Sequence, residues 1–592
     1  MKKKISDVLY YAFFALLCGF ILSSALTLFI AYRNHSNIYY IQSAGELNIT
    51  LLILLTLSFS AGLFFLFFFR KKLYRCTLPL CLLAFSLITL WTARSIQPYY
   101  AAAMAIITAA FTLVFKDIYQ ERKIKPLEAL EGRGLYIAVL IETLLMTAFV
   151  SCGTIIRYYT FNSSAFDFGL FAQMFESMAT DLTQNTTLER GEVLSHFAVH
   201  FSPIYYLLLP FYMIFRSPES LLSMQAAVCF SGVVPLLLFC KKQRYGSAVT
   251  LAVTSVFLCV PAFTGGCFYD FHENCFLVPL ILWLLYFVEK NSAGGMMITA
   301  LLLLCVKEDA GIYVIFIGIY ALLNKKVSKI SSACLFLIGI SGFIAVTKFI
   351  DVYGEGIKVS RYGAYLYGEQ DSLADVIVNV VKNPAFFFSK LLNEEKLLFL
   401  LQMLLPFMFI PMKTRKLRDW LLMAPLLIVN LATEYGYQYS VTFQYAFGTA
   451  AILVFLFAKN LRYEKRKLQT SMACLMAASI LLLGANGIKY RYGKDYSENK
   501  VYYTSAAELL KSIPRDKVIY AGTYLTPMLY DCPQVYQYPP VYEHENTPPA
   551  DYVLIDSRGA VDENLQAEID EITAMGYRQV ENETFILVYV KD

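Results

Sequence analysis

The sequence predicts an all-α polytopic membrane protein carrying a small C-terminal α/β domain. Three observations point there. The 592 residues are 57% hydrophobic and only 16% charged, where a soluble domain is about one-quarter charged. Apolar runs recur at 8–32, 47–69, 135–156 and 468–480, and a helix needs about 20 apolar residues to span the hydrocarbon. From about Asn499 onward the composition changes, and strand-like apolar runs alternate with helical ones.

Taken in order, Met1-Lys2-Lys3-Lys4 precedes an apolar run too long for a signal-peptide core, with no clean small-residue cleavage site after it. The expectation is a retained anchor with its N-terminus in the cytoplasm. Further basic clusters lie at Arg70 to Arg75, Lys116 to Arg133, Lys241 to Arg244, Lys325 to Lys329, Lys413 to Arg418 and Lys459 to Lys467. Placing every cluster inside, as basic loops prefer, puts loops 157–201, 265–273 and 351–395 and the C-terminal tail outside. Run lengths then give roughly 14–15 membrane helices. The division expected is 1–130 as a four-helix membrane extension, 131–490 as the transmembrane core, and 497–592 as an extracytoplasmic α/β domain. Two stretches resist simple crossing. Residues 203–239 fit one crossing plus one short helix at the outer face. Residues 296–323 hold Lys307-Glu308-Asp309 mid-run, as one long helix or as two short ones that spare the charges from lipid.

The formal charge of +5 is spread over the loops and does not point to nucleic acid. Thirteen cysteines include many within apolar runs and no Cys-x-x-Cys spacing, so they fit buried small hydrophobes better than zinc or a disulfide framework. There is no phosphate-binding Gly-x-x-x-x-Gly-Lys loop and no dinucleotide fingerprint.

Several polar clusters stand out against this apolar background. Asp167 lies in Phe166-Asp167-Phe168-Gly169, with Leu170-Phe171 and Met174-Phe175 following at helical spacing. It suits the N-cap of an interfacial helix or a carboxylate held at the membrane surface for chemistry. His196 and His200 are four apart and share a face on a helix, but two histidines fall short of a zinc site. Tyr269-Asp270-Phe271-His272-Glu273 packs three titratable groups into four residues, and that density favours function over simple capping. Lys307-Glu308-Asp309 could seal a helix break, or serve function, the default for ionisable groups at membrane depth. Ser360-Arg361-Tyr362-Gly363 offers an Arg suited to bidentate phosphate binding.

These pieces, with Gln173, His200-Phe201-Ser202-Pro203, Leu222-x-x-Gln225 and Ala550 to Asp556, resemble the bacterial membrane-protein family called domain of unknown function 2079, over about 135–556. That family in turn is similar to the GT-C glycosyltransferases, whose first outer loop carries an essential acid and whose next helix opens with a Pro, as Ser202-Pro203 does here. In GT-C loops a second acid often follows; here Phe168 follows Asp167, a departure from the metal-dependent pattern.

The resemblance implies a GT-C-like core and a membrane glycosyltransferase. It would move a sugar from a polyprenyl-phosphate-linked donor to a cell-envelope acceptor at the outer face of the bacterial cytoplasmic membrane. Asp167 is the expected base, with Asp270 and Glu273 in reserve. His200, His272, Lys307, Glu308, Asp309, Arg361 and Tyr362 are expected around the substrate. Partners implied are the lipid-linked donor and membrane lipid; a divalent metal is the one cofactor left open. The alternatives are a transporter or lipid flippase using the same charges as a relay, and a non-catalytic membrane protein whose charges cap helix ends.

Overall fold

The computed structural model describes residues 2–34, 48–70, 73–92, 98–114, 132–356, 359–486, 491–542, 547–558 and 563–591. The basic residues Lys71, Lys72 and Lys116 to Glu131, the loop 35–47 and Lys358 lie outside these. The fold is overwhelmingly helical, with strands concentrated near the C-terminus. Among the described residues, eight helices are long and apolar enough to cross a membrane, and four more are apolar but shorter. The apolar runs read from the sequence are thus divided between full-length spans and shorter pieces.

Two compact units emerge. The first comprises Met1–Met146, Gly232–Gly266 and Tyr362–Tyr490. Its helices pack through small residues, as membrane helices do where lipid offers no hydrophobic drive for association. Helices Lys2–Asn34 and Ile49–Phe69 approach so closely that a Cβ on Gly19 would lie 2.3 Å from Ser60 Oγ, and Ser23 and Thr56 share a hydroxyl hydrogen bond of 2.6 Å. Helix Pro98–Val114 presents Ala101, Ala105 and Ala109, one per turn, to Ala473, Ala477 and Ile480 of helix Lys467–Asn486. Gln469 Nε2 donates to the carbonyls of Thr112 and Leu113 at 2.8 and 2.9 Å, meeting acceptors that a helix end leaves open. Glu142, within a span, accepts from Thr254 Oγ1 and Ser255 Oγ, both at 2.6 Å, which is how a carboxyl survives at membrane depth.

The second unit comprises Thr147–Ser231, Cys267–Arg361 and Arg491–Asp592. The 296–323 stretch is two helices, Ala293–Leu304 and Ala310–Leu322, with the charged triplet in the break between them. The segment after Ser202 is short, a 3-10 turn Pro203–Leu207 and helix Leu209–Ile214, and a 25-residue candidate span Pro218–Lys242 follows.

Among the described residues, this unit also holds the strands. Two short ones, β1 (Asn185–Thr186) and β2 (Leu194–Ser195), pair antiparallel. The tail forms a five-stranded sheet from β3 (Ile519–Gly522), β4 (Val535–Tyr538), β5 (Tyr552–Asp556), β6 (Tyr577–Val580) and β7 (Ile586–Lys591), in the order β4-β3-β5-β7-β6. β3 pairs parallel with β4 and β5, while β7 runs antiparallel to β5 and β6. Helix Glu563–Ala574 covers one face, where Val553, Ile555, Ile572 and Tyr589 bury together. Arg558 fastens the sheet to the end of helix Arg133–Tyr159. Its Nη1 and Nη2 donate to the carbonyls of Thr160 and Phe161 at 2.7 and 2.6 Å, while Nε holds Asp556 at 2.9 Å.

Candidate functional site

The site is built on the turn after Tyr269. His272 is extended (φ −150°, ψ 149°), and a 3-10 turn Glu273–Phe276 follows. Extended backbone sends successive side chains in different directions, so Asp270, His272 and Glu273 reach three different partners. Buried Gln225 fixes the turn: its Oε1 accepts from His272 N at 2.7 Å and its Nε2 donates to Asp270 O at 2.9 Å.

Asp167 sits on a π-helical turn, Ala165–Gly169, immediately before helix Leu170–Asp181. Such turns recur at functional positions. Asp167 does not cap the helix, whose N-cap is Gly169. Its Oδ2 accepts from Tyr269 OH and, at 3.1 Å, from Ser164 Oγ, and His272 Nε2 lies 3.4 Å from Oδ1. Burial opposes ionisation of this carboxyl, but His272, Tyr269 and Ser164 outweigh it and hold Asp167 below the usual carboxylate range. The side chain keeps 25% of its surface exposed.

The reserve acids are placed differently. Asp270 is fully buried, with Oδ1 2.7 Å from Arg157 Nη1. Burial pushes it up to about 6 despite that guanidinium. Glu273 is also fully buried; it accepts from Lys307 Nζ at 2.7 Å and from Tyr205 OH. Burial raises it, but Lys307 and the nearby histidines bring it far below the ordinary range. Both carboxylates face inward, each against its own cation.

The histidines take acidic partners. His196 Nδ1 is 2.9 Å from Glu189 Oε2, His200 Nδ1 is 2.9 Å from Glu308 Oε1, and the two rings lie 5.6 Å apart. Burial, then the Lys307 charge, hold His200 below the ordinary histidine range. Glu308 falls to about 2: burial raises it, and His200 more than reverses that. Asp309 rises to about 6 through burial and the Glu308 charge, with Lys307 and Arg361 pulling the other way. Arg361 therefore belongs to this neighbourhood, half-buried. Tyr362 OH donates to Ile428 O at 3.3 Å within the first unit.

An aromatic hub binds these groups together. Phe171 packs against His196, Tyr205, Phe271 and His272 at centroid separations of 5.1–5.7 Å. Arg157, Glu189, Tyr205 and Gln225 complete the cluster and were not singled out as site residues from sequence. The signal for Arg157 was a charge at the end of an apolar run; for Gln225, an amide within one. Among the described residues, no three His, Cys, Asp or Glu side chains come together to hold a metal ion.

The architecture is that of a multi-pass membrane protein with a buried charged cluster and a C-terminal α/β sheet. Residues 157–588 match the family model described as Predicted membrane protein (DUF2079), and the chain belongs to that family. No curated protein matches it. Two solved structures of ArnT from Cupriavidus metallidurans are similar. The apo form is 12% identical with a TM-score of 0.36, covering 75% of this chain and 97% of that one. The form bound to undecaprenyl phosphate is 11% identical with a TM-score of 0.38, covering 76% and 97%.

Proposed function

We propose that this protein is a membrane glycosyltransferase that moves a sugar from a polyprenyl-phosphate donor to a cell-envelope acceptor at the outer face of a bacterial cytoplasmic membrane. The observation that carries it is the state of Asp167. It is a partly open carboxylate held by a histidine and two hydroxyls, while Asp270 and Glu273 nearby are sealed against cations. A base must be ionised and within reach of substrate, and of these three acids Asp167 alone combines the two.

In the proposed step Asp167 takes the proton of the acceptor hydroxyl. The acceptor oxygen bonds to the anomeric carbon as the carbon–oxygen bond to phosphate breaks, and polyprenyl phosphate leaves with the electron pair. Arg361 meets the developing phosphate charge. Lys307 stays paired with Glu273 inside the cluster, and His272 keeps the base oriented. Asp270 and Glu273 hold Arg157 and Lys307 in place. The preference of basic loops for the cytoplasmic side supports an outer site. A lipid donor diffuses within the bilayer, so no nucleotide site is required.

The test supplies purified protein with radiolabelled polyprenyl-phosphate hexose and membrane acceptor extract. Wild type consumes the donor, and Asp167→Asn lowers turnover about 10²–10⁴-fold with an unchanged melting temperature. A folded wild type that binds the donor but leaves it intact overturns the assignment.

A further inference from the structure

A second feature lies one residue from Asp167. A cleft of about 330 Å³ opens beside the sheet edge, lined by Phe166 and Thr187 on one side and by Tyr520, Tyr536, Gln537 and Tyr542 on the other. That volume is within the range of small-molecule sites, roughly 300–1,000 Å³. We propose that this cleft binds a neutral saccharide ring of the acceptor and so presents its hydroxyl to Asp167, an assignment that rests on the transferase reading above.

Four observations carry it. First, the cleft is a built surface. β4 is the sheet's edge strand, and its backbone is held by the site loop: Thr187 Oγ1 donates to Val535 O, and Gln173 Nε2 donates to Cys532 O at 3.0 Å just before the strand. Gln173 Oε1 in turn accepts from Thr187 N at 2.9 Å.

Second, the lining is aromatic and fixed. Tyr520 and Tyr536, paired across β3 and β4, stack at 5.3 Å with 26° between planes. Tyr542 meets Phe166 edge-on at 6.1 Å and carries the Arg190 guanidinium 5.3 Å from its ring centre. Sugars present apolar C–H faces and polar rims, and aromatic rings with polar tips suit both.

Third, Gln537 Oε1 is buried without a hydrogen-bond partner among the described residues. A buried acceptor normally has a donor, and a sugar hydroxyl supplies one.

Fourth, of the eleven described residues lining the cleft none carries a charge. Arg190 beside it is held by both carboxylate oxygens of Glu355, at 2.6 and 2.7 Å. The described lining offers a phosphate or nucleotide no cation, and its aromatic rings and amide suit a neutral polyol. Phe166, which lines the cleft, directly precedes Asp167 on one π turn, so the cleft and the base are one residue apart along the chain.

The experiment uses the full chain in nanodiscs and saturation-transfer NMR with methyl α-glucoside, methyl α-galactoside and N-acetylglucosamine as probes. Wild type gives a saturable signal with at least one sugar, and inorganic phosphate does not displace it. Gln537→Leu and Tyr542→Ala each weaken binding about fivefold or more, with melting temperatures as in wild type. Asp167→Asn leaves binding in place while transfer is lost. No signal with any probe, displacement by phosphate, or binding indifferent to both cleft variants overturns the cleft. Sugar binding that passes these tests in a protein unable to transfer overturns the transferase and leaves the cleft standing.

Discussion

Asp419 and Asp167 are two carboxylates in different compact units of one membrane protein, and they are solvated in opposite ways. Asp419 is 1% exposed, with Lys459 Nζ at 2.7 Å and Thr414 Oγ1 at 2.9 Å. A full cation is locked against it, and the pair is closed to solvent. Asp167 has hydroxyls and an imidazole around it and keeps a quarter of its side-chain surface. A cation at contact distance fixes a carboxylate's charge and consumes its lone pairs. A carboxylate that keeps part of its surface open is able to take a proton from a substrate and give it up. The difference separates charges that serve the fold from charges available to a substrate.

The largest effect that can break this contrast comes from the closed pair. Lys459→Met removes the cation at 2.7 Å and leaves buried Asp419 with Arg418 Nε at 3.5 Å, and stability should fall by about 3 kcal/mol, read by thermal unfolding in detergent. Turnover per folded molecule should hold. Asp167→Asn should do the reverse. If both variants lose stability alike, the two carboxylates are equivalent and the distinction is gone.

A smaller effect sharpens it. His272→Asn withdraws the ring near Asp167 Oδ1, and turnover should fall about tenfold to hundredfold, the worth of a hydrogen bond to a charged group. The ring also helps hold the Asp167 carboxyl low. Its loss should therefore move the acidic limb of the pH–rate profile to higher pH. A lower rate with an unmoved limb would mean that His272 only packs against Phe171.

Much of this was legible in sequence because hydropathy and charge are local. The apolar runs, the break at Lys307-Glu308-Asp309 and strand β5 all follow from neighbours along the chain. β4 was not legible: Val535-Tyr536-Gln537-Tyr538 is a short edge strand before Pro539 and Pro540, with no clear alternation. Glu189 reads as a solvated acid in Leu188-Glu189-Arg190-Gly191, yet the fold buries it against His196. Asp270 and Glu273 were visible as a dense pair. Which of them would be sealed depended on Arg157, Lys307 and Tyr205, more than thirty residues away in each case. Periodicity carries no information about such partners.

The finest test is of pH. Asp309 is raised to about 6, chiefly by burial and by the Glu308 charge, against Lys307 and Arg361. Its folded-state value exceeds its unfolded one, so protonation favours the folded state. That contribution is complete below the unfolded value near 3.8 and is lost as pH rises through about 6. Asp270 follows the same sign. Glu308, lowered to about 2, contributes above its unfolded value and loses that only under strong acid. His200, held low, works against the aspartates as pH falls through its unfolded value near 6.5. The wild-type slope between pH 7 and 5 is a balance, and the difference from Asp309→Asn isolates one member of it. Wild type should gain on the variant by about 1 kcal/mol as pH falls from 7 to 5, measured as paired melting temperatures in nanodiscs. A gap that stays constant, or widens towards pH 7, would mean that Asp309 is already ionised and solvated, and that the break between the two short helices is open to water.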